Sequence, residues 1–340
     1  MRWSLLAGGA VLAPCAAYLV GAAQPHIADA VCRAVPDACA LRAGAWAWRV
    51  GAPLRRLADV VHALDASFPA LVVSLALAAL GGALAYVAIG GSRATFLAQG
   101  LSGIDLLKVA LAPPGVPAPR IPESLGLPCA AVYLFLVLVF IPFRYFGPQK
   151  YSVSVTSVHQ DLATFLSALL SIYSGTMLGF VDDVLDIRWR YKLPIPLLSS
   201  IPMLVVYVAS GGSTSVVVPA WPSFLRTVLH SSALDLGVLY YVYMMLLATF
   251  CTNCINILAG INGVEVGQAL VIVLSVCVND LLYLDLRAVV ARTLGAAHPV
   301  SIAHAQPEVV ARHLFSLHLL LPFVGTSAAL LLWNRYPARV

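Results

Sequence analysis

Long apolar runs separated by shorter polar stretches recur along most of this chain. A helix needs about 20 apolar residues to cross the hydrocarbon of a bilayer, where every backbone N–H and C=O must be satisfied within the helix. Seven segments meet that requirement: 67–89, 127–146, 162–181, 193–209, 236–257, 263–284 and 314–333. Pro142, Pro202 and Pro322 fall inside three of them, which membrane helices tolerate where neighbours repair the hydrogen bonding. The expected fold is all-α, a polytopic transmembrane helix bundle. Residues 67–340 form its membrane domain and 1–66 an N-terminal extension. Within the extension, 4–20 is a short apolar run after Arg2, followed by Gly21, Ala22 and Ala23. That is the pattern of a signal peptide or signal anchor, an eighth hydrophobic helix. Trp46, Val50, Leu54, Leu57, Val61 and Leu64 recur at helical spacing with Arg49, Arg55, Arg56 and Asp59 between them. A helix lying on the membrane surface and an ordinary linker both fit.

Composition agrees with the pattern. The chain is 61% hydrophobic and 10% charged, with a mean hydropathy of +0.90. A soluble domain carries about 25% charged residues, and disordered chains are poor in apolar ones, so both classes are excluded. Twenty Lys and Arg against 15 Asp and Glu leave a net charge of +5 without a basic run. Nucleic acid is therefore not expected as a partner, and membrane lipid is. Of the seven cysteines, Cys251 and Cys254 form a CxxC inside an apolar helix. They read first as small packing residues and second as redox or metal chemistry. Cys32 and Cys39 lie in a polar loop where pairing stays open.

If all seven segments cross, the loops sort by parity. Residues 91–126, 182–192, 256–263 and 334–340 share one face; 147–161, 211–235 and 285–313 share the other. Lys and Arg are similarly divided, and only the cluster Arg188, Arg190, Lys192 leans the first face toward the cytosol. That face also collects the polar residues that lipid tolerates least. Asp182 and Asp183 are adjacent, with Asp186 one helical turn on. Paired carboxylates repel unless a cation or proton lies between them, and hard oxygen donors suit Mg²⁺ or Mn²⁺. A solvated helix end pairing with Arg188, Arg190 and Lys192 is the competing reading. Asn253 and Asn256 are three apart, so they share a helix face, and Gly260, Asn262, Gly263 and Glu265 follow. Amide oxygens are neutral hard ligands and amide N–H groups donate to phosphate; interhelical hydrogen bonding is the alternative. The loop Ser102-Gly103-Ile104-Asp105-Leu106-Leu107-Lys108, a Pro-rich stretch, and Arg120-Ile121-Pro122-Glu123-Ser124 read by themselves as a polar loop. Carboxylates, amides and cations gathered beside a lipid phase describe an enzyme joining a charged soluble substrate to an amphiphilic one. A transporter or channel, in which intramembrane Asp and Asn mark an ion path, and a non-catalytic scaffold are the readings from other classes.

The segments IPES, GFVDDVLDIRWRYKLPIP, LDLGVLYYVYM and FCTNCINILAGINGVEVGQ resemble the polyprenyl-phosphate N-acetylhexosamine-1-phosphate transferase family from about residue 67 onward. The ILAGINGVE form resembles its dolichol branch more than its bacterial members. The resemblance implies a reaction. An oxygen of dolichyl phosphate attacks the β-phosphorus of UDP-GlcNAc, UMP leaves, and GlcNAc-diphosphodolichol forms at the cytosolic face of the endoplasmic reticulum, as the first lipid step of N-glycan assembly. It implies Asp182 and Asp183 as the Asp pair of the catalytic centre, Asn256 as a Mg²⁺ ligand and Lys192 as the lysine near the acceptor phosphate. Ile104, Asp105, Leu106, Glu123 and Asn262 would hold the UDP-GlcNAc nucleotide. The helix end Thr249, Phe250, Cys251, Thr252, Asn253, Cys254, Ile255, Asn256 and Ile257 would form the dolichyl-phosphate surface. A homodimer and a sibling transferase with another acceptor or UDP-sugar stay open. Ile104 stands where the family is expected to carry a polar residue, and a Pro-rich insertion lengthens 108–123. Family members continue past Tyr336-Pro337-Ala338-Arg339-Val340 into helices with a further Asp metal ligand and a His/Arg loop. The polypeptide as given is therefore expected to be inactive or nearly so.

Overall fold

The computed structural model describes residues 68–104, 120–145, 155–185, 187–218, 226–227, 231–257, 261–284 and 307–335. The readings on 1–66, including the signal-like run, the surface helix and Cys32 with Cys39, lie outside the described residues. So do Asp105, Leu106 and Asp186.

Among the described residues, seven helical segments are long and apolar enough to cross a membrane, one for each expected span. They are α1 (Pro69–Ala98), α2 (Gly126–Tyr145), α3 (Val155–Leu185), the four-residue α4 (Trp189–Lys192) running into α5 (Ile195–Ala209), α6 (Val238–Ile257), α7 (Val264–Leu282) and α8 (Pro307–Asn334). Three of these run well past their hydrophobic stretches. α1 continues to Ala98 and so takes in Arg93, α3 begins at Val155 and ends beyond Asp183, and α8 begins at Pro307. Extension past the hydrocarbon is favoured because each added residue gains a backbone hydrogen bond on an existing helix, whereas starting a new element costs a nucleus.

The all-α bundle carries two short ribbons in its loops. Two antiparallel ribbons, β1 (Ser102–Ile104) with β2 (Arg120–Pro122) and β3 (Ser215–Val217) with β4 (Ala233–Asp235), stand in loops read as irregular. Three-residue strands lie below the length at which alternation gives a sequence signal.

The chain divides into two compact units, Met1–Ser152 with Ile261–Val340, and Val153–Gly260. In the first, α8 is the central element, packed on α1, α2 and α7. Phe68 and Leu71 at the start of α1 share a buried cluster with Leu314 and Leu317 near the start of α8, and with Cys277 of α7. Ala85 and Ile89 share another with Cys129 at the start of α2 and Ala329 near the end of α8. α1 and α8 therefore run parallel, and α2 and α7 run against them, as parity requires. Between these clusters α1 and α8 touch through backbone. A Cβ placed on Gly325 would overlap the Ala78 carbonyl, and one on Gly82 would lie 3.0 Å from Gly325 O. Between lipid-surrounded helices dispersion contacts replace the hydrophobic drive, so such close approach by small residues is what holds the pair together. Pro322 interrupts α8, and the Tyr133 hydroxyl of α2 donates to Leu319 O at 3.2 Å beside the break. At the end of this unit away from the β1–β2 ribbon, two polar pairs join helices: Asp280 of α7 with His313, and Arg144 of α2 with His318, each at 2.7 Å.

In the second unit α5 packs between α3 and α6. The Met203 N–H donates to Ser171 Oγ at 3.3 Å, and Tyr207 stacks on Tyr240 with centroids 5.9 Å apart. Gln160 near the start of α3 donates to Ser210 O just past the end of α5, and Tyr207 late in α5 pairs with Tyr240 early in α6, so the three helices alternate in direction. At the end carrying the β3–β4 ribbon, Thr214 and the Gly237 N–H both donate to the Asp235 carboxylate. These bonds, Thr214 first, hold its carboxyl below the usual range.

Two outcomes are expected. Gly325→Leu forces α1 from α8 and lowers stability by roughly 1–3 kcal/mol, read by thermal unfolding in detergent; Gly91→Leu, where a Cβ meets nothing within 4 Å, leaves the melting temperature unchanged. Because the folded Asp235 pKa is depressed, its contribution is present above the unfolded value, about 4, and is lost as pH falls through the folded one. Hydrogen exchange at Val216 and Leu234, corrected for intrinsic pH dependence, should accelerate across that window, and Thr214→Val should weaken the dependence, the Gly237 N–H keeping the remainder.

Candidate active site

The short α4 reverses the chain between α3 and α5. Arg188 is extended (φ −59°, ψ 138°) and Pro194 and Pro196 start α5, so the helices cannot fuse into one rod. The reversal brings Lys192 back over the last turn of α3, where its Nζ lies 2.8 Å from Asp182 Oδ2. The second oxygen, Asp182 Oδ1, is shielded from solvent and has no hydrogen-bond donor. Asp183, next along the helix, is exposed.

Helix geometry places α6 at the same level. Gly175 of α3 faces Ser199 of α5, with a Cβ on the glycine lying 3.7 Å from the Ser199 side chain. Tyr207 and Tyr240 pair α5 with α6. Counting from these contacts at ~1.5 Å per residue, Asp182 and Asp183 lie ~10–12 Å beyond Ser199, Asn253 ~8 Å and Asn256 ~12 Å, all in one direction. The Asp pair, Lys192 and the two asparagines thus occupy one end of a single compact unit, as parity predicted. On α6, Thr249 and Thr252 donate to Met245 O and Ala248 O, each at 2.9 Å. The Asn253 amide N–H donates to Thr249 O at 2.9 Å. Phe250 and Cys251 are exposed, Cys254 and Ile255 are half-buried, and Asn256 and Ile257 close the helix. Cys251 and Cys254 are free thiols.

The remaining expected residues lie in the first unit. Ile104 ends β1 and is exposed; Glu123 follows β2, its N–H donating to Leu101 O at 3.1 Å. The Glu123 carboxylate folds onto Gly103, where any Cβ would overlap it. Asn262 precedes α7, whose N-cap Gly263 has φ +82°, a conformation that suits glycine. The Gly263 N–H donates to Asn334 Oδ1 of α8 at 2.8 Å. Since the ribbon packs on α1, whose end lies with the end of α8, Ile104, Glu123 and Asn262 share one end of this unit. The roles of Gly103 as the seat of Glu123 and of Asn334 as the tie to α7 went unread. The Ser-Gly-Ile and Trp-Asn-Arg triplets carry no signal without the pairing.

Among the described residues, no group of three or more His, Cys, Asp or Glu side chains could hold a metal ion. Mg²⁺ does not ask for such a cage, because it keeps waters and binds through one or two carboxylates together with substrate phosphates. The undonated, shielded Asp182 Oδ1 and the amide-bearing end of α6 fit an ion of that kind.

Seven helices long and apolar enough to cross a membrane, among the described residues, define an integral membrane protein. Residues 165–340 match the model of glycosyl transferase family 4, and the chain belongs to that family. It is 38% identical over 266 residues to the UDP-N-acetylglucosamine–dolichyl-phosphate N-acetylglucosaminephosphotransferase of Saccharomyces cerevisiae, covering 72% of this chain and 52% of that one. With the Dictyostelium discoideum protein of the same name, identity is 42% over 245 residues, covering 71% of this chain and 54% of that one. A phospho-N-acetylmuramoyl-pentapeptide-transferase of Borrelia hermsii is 25% identical over 233 residues, covering 66% and 58% respectively. The chain spans about half the length of the eukaryotic relatives it matches.

Gly103→Ala should displace the Glu123 carboxylate while leaving the ribbon paired. Thermal unfolding in detergent should show a lower melting temperature for Gly103→Ala than for the parent, and the same change added to Glu123→Ala should cost nothing further.

Proposed function

We propose that this chain carries the membrane core of a transferase that moves GlcNAc-1-phosphate from UDP-GlcNAc to dolichyl phosphate, releasing UMP. Its site faces the cytosol at the endoplasmic reticulum, and it uses Mg²⁺, with Mn²⁺ as a substitute. The observation that carries this reading is the gathering of Asp182, Asp183, Lys192 and the asparagine-bearing end of α6 at one end of a single unit. The shared names of its relatives from yeast and Dictyostelium support it.

The chemistry follows from the charges. A phosphate monoester has a second pKa of about 6, so the acceptor is already largely ionised at neutral pH. A strong general base is not needed; the barrier is repulsion between an anionic nucleophile and a diphosphate. Lys192, fixed by Asp182 Oδ2, presents a positive charge to the acceptor phosphate. Asp182 Oδ1 and Asp183 supply acceptors for a divalent ion, and Asn256 adds a neutral one. When bound, such an ion supplies charge neutralisation for the transferring phosphoryl group. Glu123 and Asn262 hold the nucleotide, and the end of α6 from Thr249 to Ile257 receives the acceptor headgroup where the lipid phase begins. The Asp pair thus positions metal and phosphate rather than moving a proton.

Asp182→Asn and Asp183→Asn should each weaken Mn²⁺ binding, read by electron paramagnetic resonance, roughly tenfold or more. Parental Mn²⁺ affinity in both variants would refute the positioning role.

A further inference from the structure

At the ribbon end of the first unit, two arginines lie without an ion-pair partner among the described residues. The Arg93 guanidinium of α1 stands over the Trp333 ring of α8, 5.2 Å from its centroid, and that ring packs against Tyr86 at 5.0 Å. Arg93 is half-buried, and its Nε is shielded from water with no acceptor. Arg335, two residues beyond Trp333, lies with its backbone against Gly263 and its side chain exposed. The local sequence offers little to neutralise them. α1 and α2 contain no Asp or Glu, and α8 has only Glu308, at its opposite end. Glu123 and Glu265 are the acids near this end among the described residues, and neither pairs with Arg93 or Arg335.

Position and geometry then say what such a guanidinium takes. Arg93 lies ~36 Å along α1 from its first residue, whereas the hydrocarbon is ~30 Å thick. It therefore stands at the depth of headgroups, where Trp is enriched. An arginine held over an aromatic ring by cation–π attraction still carries a donor fork that suits phosphate oxygens two at a time. The shielded Nε of Arg93 is a donor left without an acceptor among the described residues.

We propose that the Arg93 guanidinium, lying over the Trp333 ring, is a phosphate-binding group at this end of the molecule. Two sources carry that group there: the headgroup of an anionic lipid and the diphosphate of a soluble nucleotide. The lipid arm is independent of the transferase reading; the nucleotide arm would extend it to a donor contact.

The test uses the full chain in neutral detergent, with phosphatidic acid and phosphatidylcholine as lipid probes in native mass spectrometry, and UDP and inorganic phosphate in equilibrium dialysis. Arg93→Gln should weaken binding of the responsive probe about tenfold. Arg93→Lys should fall between, because it keeps the charge and loses the planar edge. Selective loss of phosphatidic acid assigns the lipid source, and selective loss of UDP assigns the nucleotide; either supports the site. Melting temperatures identify a variant that has lost its fold, in which case Arg93→Lys provides the reading. Parental affinity of Arg93→Gln and Arg93→Lys for every probe would overturn the inference. If Asp182→Asn had meanwhile lost Mn²⁺, the transferase reading would still stand.

Discussion

The hydrocarbon phase offers a peptide group no water to bond with, and everything else in this chain is arranged around that constraint. Each apolar run closes its own hydrogen bonds as a helix, and the polar side chains within the runs turn the same way. Ser74, Ser92, Thr176, Thr249 and Ser275 all donate to a carbonyl one turn back in their own helix. Where Pro322 leaves α8 short of a donor, a neighbour's tyrosine approaches the break. With backbone demands met inside each helix, helix pairing falls to shape, which is why Gly325 and Ala78 meet backbone to backbone.

The same constraint sends charge to the ends of helices, where water-borne and lipid-borne groups can meet. Asp182 and Lys192 show how such an end is built. Two prolines and an extended arginine fold the chain back sharply enough that a lysine returns to an aspartate ten residues earlier in the sequence. The ion pair takes only one carboxylate oxygen. The other faces inward without a donor, an arrangement costly in a purely structural pair and useful where a cation is to be received.

Much of this was legible in the sequence because the signals were long. Twenty-residue apolar runs cannot hide, and all seven spans stand where hydropathy put them. Parity alone placed the Asp pair and the α6 asparagines at a common end. The misreadings were local. Helix ends overran the apolar stretches because propagation is cheap once a helix exists, so Arg93 read as a loop residue and is helical. The ribbons were missed because their pairing joins residues up to 20 apart through strands of three. The seat of Glu123 on Gly103 depends wholly on that pairing. Resemblance to a transferase family singled out Glu123, where charge and spacing saw only a polar loop.

The parallel contact between α1 and α8 joins segments separated by more than two hundred residues, whereas α3, α5 and α6 follow one another along the chain. During synthesis the latter three can associate as soon as they enter the bilayer. The small-residue groove of α1 must instead wait, lined with lipid, until the seventh span arrives to displace it. Maturation of the two units is thereby ordered in time, and a glycine lost at position 325 would be felt by the biosynthetic machinery as a first helix that never finds its mate.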